Sequence, residues 1–258
     1  MKTAIWSPTP FAGRKSANLL LLAGMDIRRE HREQLILHAD PVGSGPEHFL
    51  LGGTDRRRMW EKKEFGMGYL WESLRCNGFS AECARNASYS FWNDKLHVLP
   101  AGEEVFYREP KRAEMITGIM KQAEKVFGNV WIELPAGRSD FTDRLLFESD
   151  VVVISLAQSP AELEKIKEIP EFRKECFLIG AYDDRSICSL YNLERRVERL
   201  RGRCGVIPYH SGYLAACTAG RAEDFCFRET APEQERKDQW FCRWVDNAYA
   251  RWKERAEL

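Results

Sequence analysis

The segments VVVIS (residues 151–155) and CFLIG (residues 176–180) constrain most strongly what this chain folds into. Both are short apolar runs without period-two alternation. As strands they need cover on both faces, the habit of a parallel sheet with helices above and below. With their flanks they give strands Val151–Leu156 and Cys176–Ala181, and five further runs fit the same role: Thr3–Trp6, Gln34–His38, Leu96–Leu99, Val130–Leu134 and Gly205–Ile207. Between them the apolar spacing turns helical. It predicts helices over Lys15–Arg28, Glu64–Cys76, Arg112–Phe127, Pro160–Ile169 and Ser189–Arg201, and a closing helix at about 233–256. Alternation of strand and helix along the whole length predicts an α/β three-layer sandwich with a mostly parallel sheet flanked by helices, a single domain over residues 1–258.

Charge and cysteine usage narrow the setting. Thirty-nine Lys and Arg balance thirty-nine Asp and Glu, for a formal net charge of zero. With no clear basic stripe, nucleic acid is an unfavoured partner. The longest apolar runs, NLLLLAGM and DVVVISLA, fall far short of the roughly 20 residues that cross a bilayer. The start, MKTAIW, lacks a signal-peptide layout. The eight cysteines include no Cys-x-x-Cys pair, and several sit in apolar segments. Buried reduced thiols in a cytoplasmic protein are the expectation, rather than disulfides or zinc.

The region 52–93 is the least regular, and its RRRMWEKK run (residues 56–63) reads as a solvated helix start. In the closing segment Trp240, Trp244, Ala248 and Trp252 recur at i, i+4 beside Phe241 and Val245. A terminal helix packed on the sheet accounts for this stripe; a membrane-interface or partner-docking role stays open. His38, His48, His97 and His210 lack metal-ligand spacing and are expected to be structural. Glu103 and Glu104 read as a loop or helix-start charge pair, and Asp140 and Asp143, beside Arg138 and Arg144, as helix-capping and surface-pairing residues.

The first strand leads into SPTPFAGRKSANLLLLAG (residues 7–24), a turn, a Lys-Ser pair and a helix. That is the layout of a phosphate-binding loop, in which backbone N–H groups, a helix N-terminus and a lysine converge on an anion. Against the spelling G-x-x-x-x-G-K-[ST], Lys15 and Ser16 fit, Thr9 and Arg14 replace the two glycines, and Gly13 is displaced by one position. Three further stretches stand in order at later strand ends: LILHADPVGSG, VWIELPAGRSDF and GVIPYHSGYLAACTAGR.

Together these stretches resemble the MinD/ParA family of P-loop ATPases, whose phosphate loop is a deviant, lysine-rich one; the resemblance runs from Met1 to about Phe227. Within the family, HADPVGSGPEHFLL, DKLHVLPAGEE and LPAGRSDFTDRLLFESDVVVISLAQSP look most like the TadZ/CpaE-like branch that accompanies Flp/Tad pilus and secretion machinery. The resemblance implies ATP and Mg²⁺ as possible cofactors. Gly13, Arg14, Lys15, Ser16, Ala17 and Gly137 would bind the nucleotide, with Gly137 sensing the γ-phosphate through its N–H. Ser16 and Asp40 would hold the metal. Lys15 and Asp40 would be catalytic, Asp40 orienting the attacking water, and the stretch after the sixth strand would line the base.

The same alignment shows departures. Pro10 stands where the family's signature lysine reaches across a dimer, and Phe11, Ala12 and Arg14 replace glycines. His38 and Glu133 stand in for aspartates, and Gly180 falls near the place of an asparagine that meets adenine. Pro10 removes an N–H donor, and the other side chains add bulk beside the phosphates. An Arg14 guanidinium beside Lys15 offers an anion contact by side chain instead, and a solvent-facing residue at the helix start accounts for Arg14 equally well. The expectation is a degenerate member acting as a positioning or scaffold factor, with weak or lost hydrolysis. The alternatives are a working ATPase cycling between monomer and ATP-bound dimer, and, less favoured, a partition-type nucleic-acid partner. Implied partners are a second copy of the chain, pilus or secretion proteins and a peripheral membrane contact.

Overall fold

The computed structural model describes residues 1–10, 12–40, 45–52, 65–101, 111–231 and 237–258. The RRRMWEKK run and the Glu103–Glu104 pair lie outside these residues, as do positions 64 and 233–236 of the two expected helices. Eight strands form one sheet in the order β3-β4-β2-β5-β1-β6-β7-β8. They are β1 (Lys2–Trp6), β2 (Gln34–His38), β3 (Tyr89–Phe91), β4 (Leu96–Leu99), β5 (Asn129–Glu133), β6 (Val151–Ala157), β7 (Glu175–Tyr182) and β8 (Cys204–Pro208). All neighbours run parallel except β3 and β4, an antiparallel edge hairpin. The hairpin turns through three consecutive left-handed residues, Trp92, Asn93 and Asp94.

The helices are α1 (Lys15–Glu30), α2 (Pro46–Leu50), α3 (Gly66–Asn77), α4 (Ala81–Asn86), α5 (Arg112–Ala123), α6 (Asp140–Glu148), α7 (Pro160–Lys165), α8 (Leu190–Arg196), α9 (Ser211–Thr218), α10 (Ala222–Glu229) and α11 (Gln239–Glu257). Local chemistry sets their starts. Ser139 and Thr142 form a reciprocal capping box for α6, Ser159 caps α7 ahead of Pro160, and Asp238 caps α11 through the Phe241 N–H.

Several expected boundaries move. The closing helix begins at Gln239, behind the Asp238 cap, rather than near 233. The helix expected over Ser189–Arg201 breaks at Val197, which is extended (φ −122°, ψ 98°), and resumes as a 3-10 turn over Glu198–Leu200. The helices expected to reach Phe127 and Ile169 end at Ala123 and Lys165.

The sheet carries a core on each face. One joins Leu35, Ile132 and Ile154 to Leu70, Ile116, Leu145 and Leu193. The other joins Ile36, Trp131 and Val153 to α1, Phe225 and the α11 residues Phe241, Val245 and Trp252. Helix α1 is buried at every position from Ser16 to Ile27, which explains why NLLLLAGM is apolar all round. The tryptophan stripe divides as a core-packing helix should. Trp252 is buried with its ring 4.8 Å from that of Trp131, Trp244 packs near Tyr182, and Trp240 faces outward. Cys76 is exposed and Cys83 half-buried; Cys176, Cys188, Cys204, Cys217, Cys226 and Cys242 are buried, and all eight are free thiols. Among the described residues no helix is long and apolar enough to cross a membrane.

Chain direction places the site. From β1 the connection through α1 leads to β2 on one side, while β6, β7 and β8 are laid down on the other. The C-terminal end of β1 is therefore a point where the winding reverses, the position at which open α/β sheets bind ligands.

Candidate functional site

Strand β1 is held between β5 and β6, with Ile5 in register with Glu133 and Trp6 with Ile154. The chain then turns back over the sheet edge into α1. Two consecutive left-handed residues make this turn, Gly13 (φ 68°, ψ 1°) and Arg14 (φ 53°, ψ 46°). Gly13 is required on steric grounds as well. A Cβ there would lie 2.6 Å from Ser155 Oγ and 2.8 Å from the Leu156 backbone. Its carbonyl accepts from Asn18 Nδ2 (2.5 Å) and Ser155 Oγ (3.1 Å). Arg14 thus occupies a backbone region that favours glycine, at a cost of about 1 kcal/mol for a side chain there. Its side chain is exposed, with the guanidinium 5.3 Å from the centre of the Tyr209 ring.

A cavity of about 610 Å³ opens beside this turn. Its polar floor is built by Arg14, Lys15, Ser16, Asp40 and Glu133. Lys15 Nζ donates to the Leu134 carbonyl and lies 3.6 Å from Glu133 Oε1 and 3.8 Å from Asp40 Oδ2. Ser16 Oγ donates to Glu133 Oε1 at 2.6 Å. The other Glu133 oxygen, Oε2, is buried and has no hydrogen-bonding partner among the described residues. Helix α1 opens onto the floor without a side-chain cap, so its first N–H groups and its dipole face the cavity.

Opposite the floor stands an apolar wall of Phe49, Ile207, Pro208, Tyr209, Tyr213, Leu214 and Cys217. Tyr213 is anchored by its hydroxyl, which donates to the Ala17 carbonyl at 2.5 Å. Burial pushes that hydroxyl far above its ordinary pKa, and it pushes Cys217 up to about 11 against the pull of Tyr213 and Arg14. His210 caps α9 by accepting the Tyr213 N–H on Nδ1 (3.0 Å), and its Nε2 lies 3.2 Å from Asp238. The resemblance put the base lining after the sixth predicted strand; of that strand, β7, Ala181 lines the cavity, and most of the apolar wall comes from β8 and the segment after it. The i, i+4 spacing of Tyr209, Tyr213 and Cys217 was the available signal.

Behind Asp40, the buried His38 Nδ1 meets buried Glu47 Oε1 at 2.9 Å. Burial opposes ionisation of both groups. The mutual hydrogen bond nevertheless holds Glu47 down to about 2, and the carboxylates of Glu47, Glu133 and Asp40 raise His38. The substitute for the first aspartate is thus half of a buried hydrogen-bonded pair that ties α2, the helix carrying Phe49, to β2. The remaining histidines also have structural partners. His97 Nε2 lies 2.7 Å from Glu33, and His48 Nδ1 lies 3.4 Å from Glu47.

Of the residues singled out by sequence, Arg14, Lys15, Ser16, Ala17 and Asp40 line one cavity, together with Glu133. Gly13 shapes the turn behind it. Gly137, left-handed at φ 78°, stands apart from the cavity lining, where Pro135 and Ala136 take part, and donates its N–H to the Ser7 carbonyl at 3.0 Å. Gly180, near the place of the family's asparagine, serves packing instead. A Cβ there would sit 2.0 Å from the Gly13 oxygen. Sequence reasoning missed Glu162, whose carboxylate, with Lys165, ties Thr9 of the loop to α7.

The donor set tests for a metal. No trio of His, Cys, Asp or Glu among the described residues is arranged to hold one. A hard divalent cation here would use the Ser16 hydroxyl and the Glu133 and Asp40 carboxylates, and would complete its octahedron with phosphate oxygens and water, the usual arrangement for Mg²⁺. The orphaned Glu133 Oε2 fits that role. Lys15 and the open α1 N-terminus fit the phosphates.

A parallel α/β sheet with a strand–loop–helix turn at the C-terminal end of its central strand is the architecture of P-loop nucleoside triphosphatases. Solved structures narrow the fold to that of the MinD/ParA ATPases. The ParA family ATPase of Chlorobium tepidum superposes with a TM-score of 0.73 at 13% identity, covering 96% of this chain and 98% of that one. MinD of Pyrococcus horikoshii in complex with Mg-ADP matches at 0.65 and 13% identity, over 96% and 95% of the two chains. A plasmid partition protein of Borrelia burgdorferi bound to AMPPNP matches at 0.64 and 11% identity, over 98% of each. No protein-family model and no curated protein matches the chain.

Proposed function

We propose that this protein is a nucleotide-binding positioning or scaffold factor of MinD/ParA type, closest to the TadZ/CpaE-like branch, with weak or lost ATP hydrolysis. One observation carries the reading: the phosphate-loop lysine is present but already engaged by three oxygens, from Leu134, Asp40 and Glu133, in a loop stripped of glycine donors. Pro10 has no N–H to give, and the Gly137 N–H is occupied by Ser7. Ligand binding is supported by the cavity, whose size suits a nucleotide, by the α1 N-terminus, and by Lys15, Ser16 and Asp40 on its floor. Bound ligand would hold Mg²⁺ between its phosphates and Ser16, Asp40 and Glu133, and the metal would supply charge neutralisation there. Lys15 would then exchange its carboxylate partners for phosphate oxygens.

In this reading the protein acts in the cytoplasm as a homodimer, at the inner face of the membrane, with pilus or secretion components as partners. Arg14, held in the left-handed backbone region that suits a phosphate-loop glycine, favours the second reading, a working ATPase. Titration with ATP and Mg²⁺ by calorimetry, run beside a phosphate-release assay, separates the two. Binding without turnover supports the scaffold. Micromolar binding with turnover that disappears in Lys15→Ala and Asp40→Ala establishes the ATPase instead. No binding at millimolar nucleotide removes both.

A further inference from the structure

Discrimination among nucleotides needs hydrogen-bonding groups aimed at the edge of the base, because the four bases differ mainly in their donors and acceptors. Among the described residues, the wall facing the cavity floor offers almost none. The Tyr213 hydroxyl is given to the Ala17 carbonyl, and the Thr218 hydroxyl to the Leu214 carbonyl at 2.9 Å. Both ring nitrogens of His210 are engaged, by the Tyr213 N–H and by Asp238. The backbone donors are equally occupied: Pro208 has no N–H, Tyr209 donates its own to the Tyr182 carbonyl at 3.1 Å, and Leu214 donates to the His210 carbonyl at 3.0 Å. What remains is apolar surface from Phe49, Ile207 and Leu214, and the half-exposed ring of Tyr209.

Two polar groups carry no hydrogen bond among the described residues: the Tyr209 hydroxyl on the wall, and the guanidinium of Arg14, which reaches from the floor to the Tyr209 ring. A hydroxyl rotates to donate or accept, so it does not separate an amino from a carbonyl edge. Arg14 lies over the Tyr209 ring, and aromatic and guanidinium faces stack on any base.

We propose that the cavity takes nucleoside triphosphates without reading the base. Recognition falls on the phosphates at the floor and on stacking at the wall. This rests on the nucleotide-binding reading above and deepens it. Ring size alone then ranks the ligands, purines over pyrimidines, with adenine and guanine equivalent.

Calorimetric titration of the folded full chain with ATP, GTP, CTP, UTP and inorganic triphosphate, each with Mg²⁺, tests this. ATP and GTP are expected within about threefold of each other, as are CTP and UTP, and ATP to bind at least about tenfold more tightly than inorganic triphosphate, the contribution of one stacked base. Tyr209→Ala, at an exposed position, should weaken all four nucleotides by a similar factor and leave inorganic triphosphate unchanged. A preference above tenfold between ATP and GTP overturns the proposal while leaving nucleotide binding intact. A GTP preference that Arg14→Ala abolishes does the same and assigns base reading to the guanidinium. Equal binding of inorganic triphosphate and ATP overturns the stacking. Binding of none of the five ligands removes the nucleotide reading along with the proposal.

Discussion

Replacing Gly180 with alanine adds one methyl group where β7 passes under the phosphate-loop turn. The new Cβ would stand 2.0 Å from the Gly13 oxygen, 2.7 Å from the Gly13 carbonyl carbon and 2.5 Å from Asn18 Nδ2. Heavy atoms around a real Cβ stay beyond 3.0 Å, so the two backbones must part by the difference, at least 1.0 Å. Strand β7 is paired on both sides, with β6 and with β8, so the loop has to yield. Moving the loop breaks the two hydrogen bonds that hold the Gly13 carbonyl, from Asn18 and Ser155. At about 1 kcal/mol for each bond and a similar cost for overpacking, the loss is about 3 kcal/mol. For a chain of this size that lowers Tm by roughly 6–12 °C. Because α1 starts immediately after the turn, nucleotide affinity should fall by about tenfold in calorimetry. Gly118→Ala in α5 is the control. Its Cβ would meet only the Trp71 ring at 3.6 Å, and the substitution should raise helix stability by about 0.5–1 kcal/mol. Gly180→Ala with unchanged Tm and unchanged binding would refute the claim that the turn rests on β7.

Lys15→Met removes a largely buried cation from between Glu133 and Asp40. It should cost about 3 kcal/mol in urea unfolding of the ligand-free protein, and Glu133→Gln in the same chain should restore part of that loss. Glu47 sits at about 2 in the fold against an ordinary 4.5, so its stabilising contribution is complete above pH 4.5 and is lost as pH falls toward 2. His38 is raised from 6.5, so its contribution is complete below that pH and fades as pH rises through the raised value. Unfolding free energy measured against pH should therefore show an acid limb below 4.5 that Glu47→Gln makes shallower, the lowered Glu30, Glu33 and Glu229 supplying the rest. Thiol labelling of the native protein should modify Cys76 first and Cys83 more slowly, while Cys176, pushed up to about 12 by burial, reacts only on unfolding.

The sheet was legible because continuous apolar runs such as CFLIG admit one environment, and the strand over Gln34–His38 matches residue for residue. Helix ends were less legible, because they turn on single residues: the extended Val197 and the Asp238 cap leave the apolar period undisturbed. Of the edge hairpin, β4 was legible, but β3 was hidden because its pairing depends on Trp92, Asn93 and Asp94 adopting left-handed backbone, which residue type only weakly announces. At the site, Lys15, Ser16 and Asp40 could be placed from motif order. The engagement of Lys15 by Glu133 and Leu134 is a contact between separate strand ends, and spacing along the chain does not encode it.

Helix α1 has sixteen residues, a rod of about 24 Å by the rise of an α-helix. Its first turn floors the cavity, and its far end is fastened to α11 by three polar links. These run from the Tyr249 hydroxyl to Asp26 (2.8 Å), from Arg29 to Asp246 (3.0 Å) and from Lys253 to Glu30 (2.8 Å). Close packing on every side leaves the rod no room to bend or roll alone. Any axial shift that a ligand imposes at Lys15 is therefore passed along the rod to the C-terminal helix, which packs beside it on the same face of the sheet.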